Sequence, residues 1–175
     1  SFANEGFTID YSPGMQRDRT RNIVSWNEAG TRRSAAIGDQ EPLVLQGYRF
    51  YTSFNKGFAP LFTWRPASGR AARGTVHLPS YPLNEFGQAR EWTPPGTTLK
   101  LWVMLDLDKR PFDESKPWRF RAPEQHSLIV REGERRWTLE PGAELALAQG
   151  VLSYEGLSTW MGYKVFYDWT LPWLL

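Results

Sequence analysis

Apolar and polar positions alternate with a period of two along much of this chain. Phe7, Ile9 and Tyr11 alternate with Thr8 and Asp10, and Ile23 lies in a similar run over 21–28. Tyr48, Phe50 and Thr52 alternate with Arg49, Tyr51 and Ser53. Leu99, Leu101, Val103 and Leu105 alternate with Lys100, Trp102, Met104 and Asp106, and Tyr163, Val165 and Tyr167 with Lys164, Phe166 and Asp168. Such runs predict half-buried antiparallel strands. Turn signals fall between them at Ser12-Pro13-Gly14, Glu28-Ala29-Gly30, Pro94-Pro95-Gly96 and Pro141-Gly142. The turn at Gly133 predicts a tight hairpin joining His126–Arg131 to Arg135–Leu139.

No long segment keeps a 3.6-residue period free of Gly and Pro, and only Glu144–Gln149 suits a single helical turn. Pro79–Pro95 and Lys109–Pro123 are rich in proline and aromatics. They predict long irregular loops anchored by Tyr81, Phe86, Trp92, Phe112 and Trp118. The expected fold is mainly β, an antiparallel sandwich or barrel-like domain with such loops. One domain over residues 1–168 is the default, with a division near Pro94-Pro95 as the alternative.

Composition narrows the function classes. The 175 residues carry a net charge of only +2 with their basic side chains scattered, so nucleic acid is not an expected partner. The absence of cysteine excludes disulfides, thiolate zinc sites, CxxC redox chemistry and a covalent haem attachment motif. The tail Trp169-Thr170-Leu171-Pro172-Trp173-Leu174-Leu175 rises in hydrophobicity. Two tryptophans leading an apolar run suit a membrane-interface belt, so residues 169–175 are expected to begin a membrane anchor with Trp169 and Trp173 at the interface.

Candidate chemistry is sparse. His77 and His126 are the only histidines, too few for a three-histidine metal site. A pair of axial haem ligands is conceivable, but lone strand histidines more often pack or face solvent. Asp106 and Asp108 share one side of a strand end, as carboxylate pairs for glycoside hydrolysis or calcium do, yet Lys109-Arg110 follows as in a solvated loop. There is no Gly-x-Ser-x-Gly elbow, and the Arg/Ala loop between Gly69 and Gly74 is a weak phosphate signal. The nine tryptophans could stack on sugars, unpaired bases or a porphyrin, or they fill the core and mark an interface. No catalytic residue, metal ligand or cofactor is therefore assigned to the isolated domain.

The run from Ile37 through Pro42-Leu43 to Gly47-Tyr48-Arg49-Phe50-Tyr51 resembles a recurring element of ResB-like proteins, a family of c-type cytochrome assembly factors. In that family a Pro-Leu pair leads to Gly-Tyr and an aromatic strand ending in Tyr-Gln; here Thr52 replaces the glutamine. The opening from Phe7 to Met15 is similar as well, and Ser25 corresponds to a serine in the middle of the family's next strand. Gly162 to Pro172 is similar to the strand that runs into the last membrane helix, with Asp168-Trp169-Thr170 where the family tends to Asp-Pro-Gly. The physical reading agrees: Pro42, Leu43, Gly47, Tyr48, Phe50 and Tyr51 build a strand start and bury rings, and do no chemistry.

The resemblance implies a divergent, shortened member: a periplasmic or cell-exterior domain of a bacterial membrane protein. It would act as a non-catalytic scaffold with a ResC-like membrane partner, and with apocytochrome c or the haem-delivery machinery. Two other readings stay open. One is a carbohydrate- or other ligand-binding β-sandwich using exposed tryptophans. The other is a hydrolase using Asp106 and Asp108.

Overall fold

Short reversals set the strand order. In the computed structural model, which describes residues 2–79, 89–107 and 113–167, every regular element is a strand. β1 (Phe2–Ser12), β2 (Gln16–Glu28) and β3 (Thr31–Gly38) form an antiparallel meander. Pro13-Gly14-Met15 closes the first turn and Ala29-Gly30 the second, as their turn residues require. The run expected over 21–28 is thus longer at its start, and β3 is a strand the alternation did not reveal. The reason is visible in its sequence: Thr31 to Ala36 is polar or small, and only Ile37 is fully buried.

β4 (Leu43–Leu45) and β5 (Tyr48–Pro66) follow, paired as Leu43 with Phe50 and Leu45 with Tyr48. Gln46 and Gly47 close the hairpin with φ of 51° and 81°. Positive φ at both central positions is the type I′ pattern, whose twist matches the flanking strands. Glycine is suited to the second position on geometric grounds too, because a Cβ there would lie 3.1 Å from Cε2 of Tyr167.

β6 (Ala72–Thr75) and β7 (Leu78–Pro79) pair with the far half of β5. Gly57 lets β7 approach: a Cβ there would fall 1.9 Å from the Leu78 carbonyl oxygen. β8 (Ala89–Trp92), β9 (Leu101–Asp106), β11 (Ser127–Glu132) and β12 (Arg135–Leu139) make a four-stranded sheet in the order β12-β11-β9-β8. The expected hairpin at Gly133 is its β11–β12 connection, a two-residue loop. β10 (Trp118–Arg119) adds to the edge of β1, giving the order β10-β1-β2-β3. β13 (Glu144–Leu147) and β14 (Gly150–Tyr167) complete a six-stranded sheet ordered β13-β14-β5-β4, with β6 and β7 also on β5.

Three expectations change. Glu144–Leu147 is strand rather than a helical turn, because Leu145 is buried while its neighbours face outward, a period of two. The two loops expected to be irregular each contribute a strand, β8 and β10. Their tryptophans act as anchors, with Trp92 stacked on Phe62 at 5.4 Å and Trp118 on Tyr11 at 5.5 Å between centroids. Tyr81, Phe86 and Phe112 lie outside the described residues.

The chain forms two compact units. The first takes described residues 2–55, 113–121 and 161–167, and the second 56–79, 89–107 and 122–160. Pro94 and Pro95 lie inside the second unit, so no crossing between the units falls there. In the first unit Val24, Ile37 and Leu43 form a buried cluster, with Trp26, Ala35, Leu45, Phe50 and Tyr163 packed against it. In the second, β9 shows the expected alternation: Leu101, Val103 and Leu105 are buried and Trp102, Met104 and Asp106 are not. Phe58, Phe62, Trp64, Leu128, Leu152 and Tyr154 are buried in the same unit.

Candidate functional site

The candidate site is built from the β4–β5 hairpin and the end of β14, all within the first unit. Pro42 leads into β4, and Leu43 is buried in the core cluster opposite Phe50. The hairpin then leaves the core. Tyr48 is 44% exposed, which overturns the expectation that it buries beside Phe50. Both residues share one strand face, but the cluster covers only the Leu43–Phe50 end of it.

Strand β14 ends beside this hairpin. The Tyr48 and Tyr167 rings stand 5.1 Å apart, and the Tyr51 and Phe166 rings meet edge to face at 5.9 Å. Tyr48 and Tyr51 are three residues apart on a strand, so they point to opposite faces; so do Phe166 and Tyr167. This end of the sheet therefore carries aromatics on both faces. Val165, Phe166 and Tyr167 are 50%, 54% and 65% exposed. In an antiparallel sheet with one solvated face the apolar side chains gather on the covered side, and this strand end departs from that pattern. Trp169 and Trp173, expected at a membrane interface, lie outside the described residues.

A polar network ties β14 to β1 and β2 in the same unit. The Tyr163 hydroxyl donates to Asn22 Oδ1, and Asn22 Nδ2 donates at 2.8 Å to both Asn4 Oδ1 and the Gly6 carbonyl. Burial pushes Tyr163 up to about 12, with the bond to Asn22 acting the other way. Ser25 is buried and donates to the Glu5 carboxylate, which also accepts from Arg32 at 2.6 Å. Those two bonds hold the Glu5 carboxyl below its ordinary value.

The remaining candidates occupy separate places in the second unit. His77 is exposed and stacks on Trp160, with centroids 5.1 Å apart. His126 is held at both nitrogens: Nδ1 is 2.9 Å from the Pro123 carbonyl oxygen and Nε2 is 2.7 Å from the Tyr154 hydroxyl. A carbonyl only accepts, so Nδ1 donates and Nε2 of the neutral ring accepts from Tyr154. Burial and the charge of Glu140 push Tyr154 above the ordinary tyrosine range, which keeps that donor protonated. Asp106 ends β9 opposite Ser127, and Asp108 lies outside the described residues. Among the described residues no three His, Cys, Asp or Glu side chains are grouped to hold a metal ion.

The tryptophans are mostly engaged. Trp64 is fully buried, Arg131 lies over Trp102 at 4.9 Å, and Arg135 lies over Trp137 at 4.8 Å. With Trp92, Trp118 and Trp160 stacked as above, these rings serve packing rather than an open row. Sequence reasoning missed the two-faced aromatic rim, although the alternating aromatics from Tyr163 to Tyr167 were its signal.

No family model, curated protein or solved structure matches the chain. Among the described residues no helix is long and apolar enough to cross a membrane.

Proposed function

We propose that this chain is an extracytoplasmic, membrane-proximal β domain of the ResB-like type. In this reading it assists c-type cytochrome assembly as a non-catalytic scaffold beside a ResC-like membrane partner. The observation that carries the membrane-proximal part is the aromatic rim, with Tyr48 and Tyr167 exposed on one face of the sheet end and Phe166 exposed on the other beside the half-buried Tyr51. Tyrosine rings suit a bilayer surface, where the ring body is apolar and the hydroxyl wet. The sequence continues from that rim into Trp169 and Trp173, interface residues in an apolar stretch. The cytochrome part rests on the resemblance of the Pro42–Tyr51 segment, which here forms a tight hairpin that bears half of the rim. The histidines are engaged by Trp160, Pro123 and Tyr154, which favours a scaffold over haem ligation.

The test is genetic. Deleting the gene for this chain should abolish covalent haem on the cell's c-type cytochromes, read by haem staining, and the intact gene should restore it. Replacing Phe166 and Tyr167 together by serine should lower the restored level. Normal cytochrome haem in the deletion strain would refute the proposal.

A further inference from the structure

We propose that the outer face of β2 binds an anionic amphiphile, its oxyanion head held by Arg19 and Arg21 and its apolar body lying on Ile23. This site is distinct from the aromatic rim and does not depend on the ResB-like reading.

The strand register builds the site. Arg19 pairs opposite Asp10, Arg21 opposite Thr8, and Ile23 opposite Gly6 on β1. On β3, Arg21 pairs opposite Gly38 and Ile23 opposite Ala36. Directly opposed residues stand side by side on one face. Arg21 and Ile23 are therefore flanked by small residues on both sides, and their side chains border a furrow instead of a packed surface. That is why Ile23 remains 36% exposed. Residues of β1 and β2 together with Arg119 line a recess of about 600 Å³, within the range of small-ligand sites.

Charge sets the ligand class. Two carboxylates line this recess, and both are already paired with partners other than Arg19 and Arg21. Asp10 accepts a fork from Arg119, with Nε at 2.6 Å and a terminal nitrogen at 3.3 Å. Glu5 accepts from Ser25 and Arg32. The guanidinium of neither Arg19 nor Arg21 has an ion pair or hydrogen bond with a described residue. Two guanidinium forks two positions apart on a strand suit a phosphate or carboxylate head. Arg19 and Arg21 also border a second recess, where Asp18, Asp39 and Glu41 stand. Those acids disfavour an anion on that side, so the head faces the recess shared with Arg119 and the tail follows β2 toward Ile23.

Octyl phosphate below its micelle concentration is the probe for calorimetric titration, with inorganic phosphate as the head alone. Octyl phosphate should bind wild type on the order of tenfold tighter than inorganic phosphate, the gain coming from the alkyl chain. Arg19→Gln with Arg21→Gln should weaken octyl phosphate about tenfold or more. Ile23→Ser should erase the alkyl advantage and leave inorganic phosphate unchanged. Arg19→Lys with Arg21→Lys, which keeps the charge and loses the fork, should fall between wild type and the glutamine pair. Vesicles of phosphatidylglycerol that sediment wild type but release the glutamine pair would assign the head to a lipid. Vesicles that hold both alike, with octyl phosphate still discriminating, would assign it to a free molecule. The proposal fails if wild type shows no saturable binding to octyl phosphate, or if the folded glutamine and lysine pairs both bind it as wild type does.

Discussion

The Tyr163 hydroxyl donates a hydrogen bond to Oδ1 of Asn22, joining residues 141 positions apart in the chain. Asn22 in turn holds the irregular step in β1 between Asn4 and Gly6. One phenol therefore ties the last strand to the first two.

Alkaline stability should depend on this phenol. Tyr163 ionises near 10 in the unfolded chain and at about 12 when folded. Between those values the folded state binds more protons, so its stability is intact below pH 10 and falls as pH rises through about 12. Tyr11 behaves alike: burial raises it to about 12, while the charge of Arg17 pulls it down. Urea unfolding across this window should show a slope that Tyr163→Phe with Tyr11→Phe reduces. An unchanged slope contradicts the assignment.

The hairpin variants should order themselves by backbone and not by ring size. Gly47→Val, at φ 81°, should cost roughly 1–3 kcal/mol. Tyr48→Ala, at a residue 44% exposed, should cost about 1 kcal/mol or less. Thermal melts of both settle the order; the reverse order would place Tyr48 in the core.

Gly57→Ala should be more damaging than either. Its added carbon would overlap the Leu78 carbonyl at 1.9 Å, so β7 must leave β5. A loss of about 2–3 kcal/mol is expected by chemical denaturation, with faster amide exchange across Leu78 and Pro79's neighbours. Wild-type stability would show that β7 does not pack there.

Ser25 should control the titration of Glu5. Its hydroxyl is the largest cause of the lowered Glu5 value, ahead of Arg32. Ser25→Ala should bring that value up toward the ordinary carboxylate range, read by carbon NMR of the Glu5 carboxyl. If the shift instead follows Arg32→Gln alone, the serine plays no part.

Removing the Tyr154 hydroxyl leaves Nε2 of His126 without its donor. Tyr154→Phe should therefore destabilise by about 1–2 kcal/mol in denaturant titration, the cost of a part-buried group left unmade. No change would mean that water replaces the phenol.

Much of the fold was legible in the chain. Residues 99–106 alternate strictly because β9 has a buried face, and that face shows in the letters. The all-β class and the Gly133 hairpin followed from the same kind of evidence. β3 escaped because its exposed, polar positions leave only Ile37 as a signal. Glu144–Gln149 suits a helical turn on paper because six residues barely distinguish the two periods. The recess at Arg19 and Arg21 could not be read at all, since it exists through the partners that registration supplies: Gly6 and Thr8 from β1 and Arg119 from β10. Periodicity reports which face of a strand is apolar. It does not report who stands opposite.

The first unit is assembled from three separated stretches, and this sets a timetable for biosynthesis. Its opening meander leaves the ribosome first, but Tyr163 follows Asn22 by 141 residues. At roughly 5–20 residues per second, Asn22 waits on the order of ten seconds for its partner. Throughout that interval the Val24 and Ile37 side chains of the nascent meander lack the Tyr163 ring that packs against them, and that covering falls to β14. A holdase acting on the emerging chain should therefore be needed early, and a truncation that removes β14 should harm the first strands in the sequence.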